Sequence, residues 1–130
     1  MRPTMDGTEQ RAVAELRQVI PEMEDRYQDL VDIYEDDIGA DVVFGALADL
    51  VNDIVLGGEF DEALLGRCLD FVESLAEQGD PDADDIVGFY FLDLLSPGTL
   101  DRVTTTLGDR TLAVLDRLES GELGDPEPVS

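Results

Sequence analysis

Ile86-Val87-Gly88-Phe89-Tyr90-Phe91-Leu92-Asp93-Leu94-Leu95 is the most apolar run in the chain, and Asp93 is its only charge. Asp80-Pro81 stands before the run and Ser96-Pro97 after it, so both ends are marked. An Asp at the N-cap followed by Pro at the first helical position is a strong helix start, because Pro has no N–H to leave orphaned there. From Pro81 to Leu95 the segment is too long for a typical strand. The reading is a helix with apolar residues on nearly every side, buried by neighbours on most faces. It is taken as the central helix of the core.

Outward from that helix, apolar spacing defines the others. Thr8 caps a helix to about Ile20, with Val13, Leu16 and Ile20 on one face. Pro21 starts a second, whose Met23, Tyr27, Leu30, Val31, Tyr34 and Ile38 form a stripe at three–four spacing. Its other face carries Glu22, Glu24, Asp25, Asp29, Asp32, Glu35 and Asp36. Gly39 should end it, with Asp41 capping the next. A third helix covers about residues 42–56 and breaks at Gly57-Gly58; a fourth runs over about 61–78. After the central helix, one spans about 100–107 and a last one about 110–119. No segment sustains period-two alternation, and Thr104 to Thr106 is too short to be a strand between helical signals. The fold class is all-α, with six or seven short helices.

Phe71-Val72-Glu73-Ser74-Leu75 and Phe91-Leu92-Asp93-Leu94-Leu95 share Phe-x-acid-x-Leu twenty residues apart, one helix plus one turn. That echo suits stacked antiparallel pairs, as in a short α-solenoid. A compact bundle would give much the same pattern. The domain is expected over 8–119, between a disordered lead at 1–7 and a disordered, proline-bearing tail at 120–130.

With 130 residues the chain can bury one core, and its charge is extreme: 32 Asp and Glu against eight basic residues, all Arg, for a net −24. Nucleic acid and anionic membrane would both be repelled by that field. The acidity can be adaptation to a salty cytoplasm, a complement to a basic protein partner, or plain surface solvation. Self-repulsion favours a monomer. There is no apolar leader in MRPTMDGTEQ and no run near the roughly 18 apolar residues that span a bilayer, so a soluble cytoplasmic protein is expected. Cys68 is the single cysteine and reads as a buried small hydrophobe.

Candidate chemistry is thin. Asp80-x-Asp82-x-Asp84 imitates the start of a calcium loop, but Asp85 and Phe91 stand where Gly and a bidentate Glu are needed, so no metal is expected. With no His and no glycine-rich phosphate loop, no catalytic residues and no cofactor are assigned. Glu73 and Asp93 would line one groove between two helices, or each would cap a helix or pair with an arginine such as Arg67. Glu35, Asp36, Asp37 and Asp41 cluster at a helix end, where carboxylates oppose the macrodipole.

Pro21-Glu22-Met23, Val43-Phe44-Gly45-Ala46-Leu47, Leu69-Asp70-Phe71-Val72-Glu73, Gly79-Asp80 and Phe91-Leu92-Asp93-Leu94-Leu95 together resemble an uncharacterised group of small acidic all-helical bacterial proteins. Some of these are immunity-protein-like members of toxin–antitoxin gene neighbourhoods. The resemblance covers about residues 20–119, and Asp93 departs from the Glu expected there. It implies a non-enzymatic binding protein, with Glu35, Asp36, Asp37, Asp70, Glu73 and Asp93 as partner-binding candidates. The partner would be basic, such as a toxic nuclease; a structural or adaptor protein with salt-adapted acidity is the alternative.

Overall fold

Three prolines, Pro21, Pro81 and Pro97, mark helix starts, and several glycines flank helix ends. A computed structural model of the chain describes residues 7–35, 38–57, 61–78 and 81–121. α1 spans Gly7–Val19 and buries Ala12, Val13 and Leu16, with Ile20 buried directly after its end. Thr8 lies inside this helix rather than capping it. Pro21 opens a 3₁₀ turn, Pro21–Met23, that runs directly into α2, Glu24–Tyr34. α3 is Ala40–Leu56, and α4 is Glu62–Ala76 with Asp61 as its N-cap, whose carboxylate accepts from the Leu64 amide at 3.0 Å.

α2 stops sooner than its stripe implies. It ends at Tyr34, and Glu35 takes a positive φ of 54°. Carboxylates such as Asp32 and Glu35 in the last turn oppose the helix dipole, which favours an early stop. Gly39 therefore belongs to the next helix, as the N-cap residue of α3, and Asp41 sits in the first turn of α3 instead of capping it. α2 is an outer helix: it buries none of its own residues, and Tyr27, Leu30 and Val31 pack only partly against the core.

The central segment is helical throughout but changes pitch. α5 is an α-helix over Pro81–Asp85, widens to a π-helix over Ile86–Phe91, and tightens to a 3₁₀ turn over Leu92–Leu94. The wider turn lets three consecutive residues, Ile86, Val87 and Gly88, all be buried, followed by Phe91 and Leu92. Phe89 and Leu94 reach the surface, so burial is not complete on every side. The Asp80 N-cap lies outside the described residues. Ser96 caps α6, Pro97–Val103, through a bond from the Thr99 amide, and a 3₁₀ turn over Thr104–Thr106 leads to α7, Asp109–Ser120. Gly121 closes α7 in the left-handed conformation, φ 82°, so the helix and its cap take in the first two residues of the span 120–130. Residues 1–6 and 122–130, the bulk of the expected disordered ends, lie outside the described residues.

Among the described residues the structure is all-α, with seven helices and no strand. α3 is the hub. It packs on α1, α2, α4, α6 and most broadly on the π segment of α5, which in turn touches α4 and α7. α1 also reaches α4 and α5. In a solenoid each repeat would meet only its neighbours, so the arrangement is a compact bundle rather than stacked pairs. The Phe-x-acid-x-Leu echo is not a structural repeat, since one copy lies on a regular α-helix and the other spans a π-to-3₁₀ transition. Phe44 of α3 and Phe71 of α4 stack at 6.2 Å between centroids in the middle of the core.

Among the described residues, arginine–carboxylate pairs lie over this core. Arg17 of α1 binds Glu24 of α2 at 2.8 Å and lies 4.1 Å from the centre of the Tyr27 ring. Arg26 of α2 meets Asp53 of α3, Arg67 of α4 holds Glu22 through two bonds, and Arg117 of α7 meets Asp84 of α5. Pairs this exposed add little stability each; they fix how neighbouring helices sit.

Candidate functional site

α4 organises the surface where the sequence candidates gather. Its inward stripe, Leu64, Leu65, Cys68, Phe71, Val72 and Leu75, is buried as the spacing predicts, and Leu69 is buried with it. Cys68 is fully buried, and burial pushes its thiol up to about 12, which makes it an inert core residue. The flank of α4 facing α6 forms one wall of a groove of about 490 Å³, lined by Glu62, Leu65, Gly66, Leu69 and Asp70. The other walls are Val55 of α3, and Arg102, Val103 and Thr106 of α6 and its 3₁₀ extension. The floor residues Val55, Leu65, Leu69 and Val103 are apolar and close to fully buried. Glu62, Asp70, Arg102 and Thr106 supply the charged and polar groups.

Gly66 sits in the middle of α4, where glycine costs about 1 kcal/mol relative to alanine. A Cβ at this position would meet nothing within 4 Å. Gly45 in α3 differs, because its Cβ would stand 3.3 Å from Leu94 Cδ1. Packing within the chain thus accounts for Gly45 and not for Gly66.

One turn beyond Asp70, Glu73 leaves the groove and caps another helix. α7 starts at Gly108 with no side-chain cap of its own. The Glu73 carboxylate takes that place, accepting from the Thr111 amide at 2.9 Å, the Thr111 hydroxyl at 2.8 Å and the Arg110 amide at 3.2 Å. Partial burial pushes this carboxyl up, but the bonds from Thr111 and Arg110 and the Arg110 charge outweigh it and hold the group below the usual range. Gly108 makes room for the contact: a Cβ there would fall 2.3 Å from Glu73 Cδ. Because Gly108 follows Thr106 by two residues, this clamp also positions the last wall of the groove.

The candidates therefore separate. Asp70 lines the groove. Glu73 is committed to α7, not to Arg67, whose partner is Glu22. Asp93 is exposed on the 3₁₀ turn after the π segment, and neither it nor Glu73 lines the groove beside α4. Glu35 is exposed at the end of α2, and Asp36 and Asp37 lie outside the described residues. Sequence reasoning missed Glu62, Gly66, Arg102 and Thr106. A glycine inside an otherwise helical pattern was the available signal.

Around α5, burial pushes the Asp85 carboxyl up, and the charges of Asp82 and Asp84 add to that. Asp84 accepts from Arg117 at 3.2 Å, and Asp80 lies outside the described residues. Among the described residues, no group of three or more His, Cys, Asp or Glu could hold a metal ion. No helix among them is long and apolar enough to cross a membrane.

Fold and surface together define a small, strongly acidic all-α domain with an apolar groove beside α4. A family model for a domain of unknown function, DUF7674, matches residues 13–120, and the chain belongs to that family. The match runs from the middle of α1 to the end of α7, in keeping with the uncharacterised family that the motifs suggest. No curated protein and no solved structure matches the chain.

Proposed function

We propose that the protein is a non-enzymatic, monomeric binding module for a basic protein partner: a cytoplasmic immunity protein of bacterial origin that blocks a cationic toxin such as a nuclease. The observation that carries this reading is charge. Of only eight arginines against 32 carboxylates, four are already held by Glu22, Glu24, Asp53 and Asp84. The field presented outward is therefore overwhelmingly negative, which steers a basic partner in and speeds association at low salt. Blocking would be steric and electrostatic, with carboxylates occupying the toxin's basic substrate cleft.

The test is a pull-down of the tagged protein from native lysate, with the product of the neighbouring reading frame co-expressed, washed at low and at molar salt. A stoichiometric basic partner released by salt is the expected result. A protein that stays partnerless at both salts would overturn the proposal. A second reading is supported by exposed carboxylates on every helix, among them Glu15, Asp29, Asp49, Asp70, Asp82, Asp101 and Asp116. In that reading the protein is a structural or adaptor domain whose acidity is high-salt adaptation. It requires stability to rise with molar KCl as self-repulsion is screened, and a melting temperature insensitive to salt would remove it.

A further inference from the structure

We infer that the groove between α3, α4 and α6 is where a basic partner docks, taking one large apolar side chain from a polypeptide segment that carries a lysine or arginine next to it. The inference rests on the acidic-module reading and adds where contact is made and by what.

Gly66 is the first observation. Among the described residues nothing lies within 4 Å of where its Cβ would stand, so the glycine leaves an open notch in the groove wall above the apolar floor. A groove of about 490 Å³ is within the range of specific binding sites. It has room for a large aromatic or aliphatic side chain and part of its backbone.

Charge decides the occupant. Glu62 and Asp70 stand four residues before and four residues after Gly66, on the same side of α4. They flank the notch about 12 Å apart along the helix axis. A side chain entering at Gly66 therefore arrives between two carboxylates, each placed for a cation on a flanking residue. Across the groove, the Arg102 guanidinium offers donors to the carbonyls of an extended segment, while the Thr106 hydroxyl donates to the Val103 carbonyl at 2.8 Å and so presents an acceptor to a backbone amide. A free anion is disfavoured by the two carboxylates, and a second copy of this chain by the −24 that each would carry.

The test measures affinity and amide chemical-shift changes with three probes: a short lysine-rich peptide with a central tryptophan, the same peptide with alanine in its place, and tryptamine. Each is titrated into the wild-type protein and into Gly66→Leu, a variant whose new side chain projects into open space and should leave the melting temperature at or above that of the wild type. The tryptophan peptide should bind the wild type about tenfold or more tightly than the alanine peptide. Its shifts should centre on Leu65, Leu69 and Val103. Gly66→Leu should erase that gap while leaving the alanine peptide's affinity unchanged. Equal affinities for both peptides, with shifts spread over the acidic surface, would overturn the docking slot and leave the acidic-module reading standing. No binding of either peptide at low salt would overturn that reading as well. Tryptamine binding as tightly as the tryptophan peptide would replace the polypeptide with a small cationic amphiphile.

Discussion

Replacing Glu73 by alanine should remove far more stability than its half-exposed position suggests. Its carboxylate is the N-cap of a helix 37 residues away in sequence, with bonds to the Arg110 amide, the Thr111 amide and the Thr111 hydroxyl. A lost N-cap costs about 1 kcal/mol. Thr111 is fully buried, so its amide and hydroxyl would be stranded away from water, at about 1–3 kcal/mol for such groups. Water can still reach the exposed Arg110, and the losses are not additive, so the net should be about 2–4 kcal/mol in urea unfolding at pH 7. Gly108 supplies the control. Its would-be Cβ overlaps the Glu73 carboxylate, so Gly108→Ala alone must push the cap out and cost a similar amount. In the Glu73→Ala background the same substitution should be nearly neutral, a coupling that double-mutant analysis reads directly. Acidification gives a second check. The folded-state value of Glu73 lies below its unfolded value. Its contribution is thus fully present above the unfolded value of about 4.3 and is lost as the pH falls below that through the folded value. The gap between the wild type and Glu73→Gln should narrow over the same range. A cost under about 0.5 kcal/mol for Glu73→Ala, or full additivity with Gly108→Ala, would refute the reasoning, since both follow from one shared contact.

Asp85 should behave in the opposite sense. Its folded value is raised by burial and by Asp82 and Asp84, so the stability it contributes is present below the unfolded value of about 3.9 and is lost as the pH rises through the folded value. Asp85→Asn should be more stable than the wild type at pH 7, with the difference closing in acid; urea midpoints at both pH values test this, and a less stable variant at pH 7 would contradict it. Phe91 is fully buried in the π segment, and Phe91→Ala should cost about 3–5 kcal/mol. A loss under 1 kcal/mol would mean that the segment is not the centre of the core.

How much of this could be read from the sequence depends on the range of the interaction that decides each feature. The inward residues of α3 and α4, and the burial of Cys68, follow from spacing within one helix. The early end of α2 was half visible, since the carboxylates that oppose its last turn were plain but their weight against the apolar stripe was not. The change of pitch in α5 was hidden, because apolar residues on every side satisfy an α-helix and a π-helix equally well. The groove required α4 and α6 to be brought together, and spacing within α4 could say only that Gly66 lacked a reason. The Glu73 clamp shows where such reasoning can go further. Gly108 offers no side chain to the first amides of α7, and buried amides must be satisfied somewhere. The sequence around Gly108 therefore already demanded an acceptor from a distant element. With 32 carboxylates available, it did not say which one. Gly108 narrows the choice only once the fold places it against α4, because only a residue without a Cβ lets the Glu73 carboxylate approach that closely.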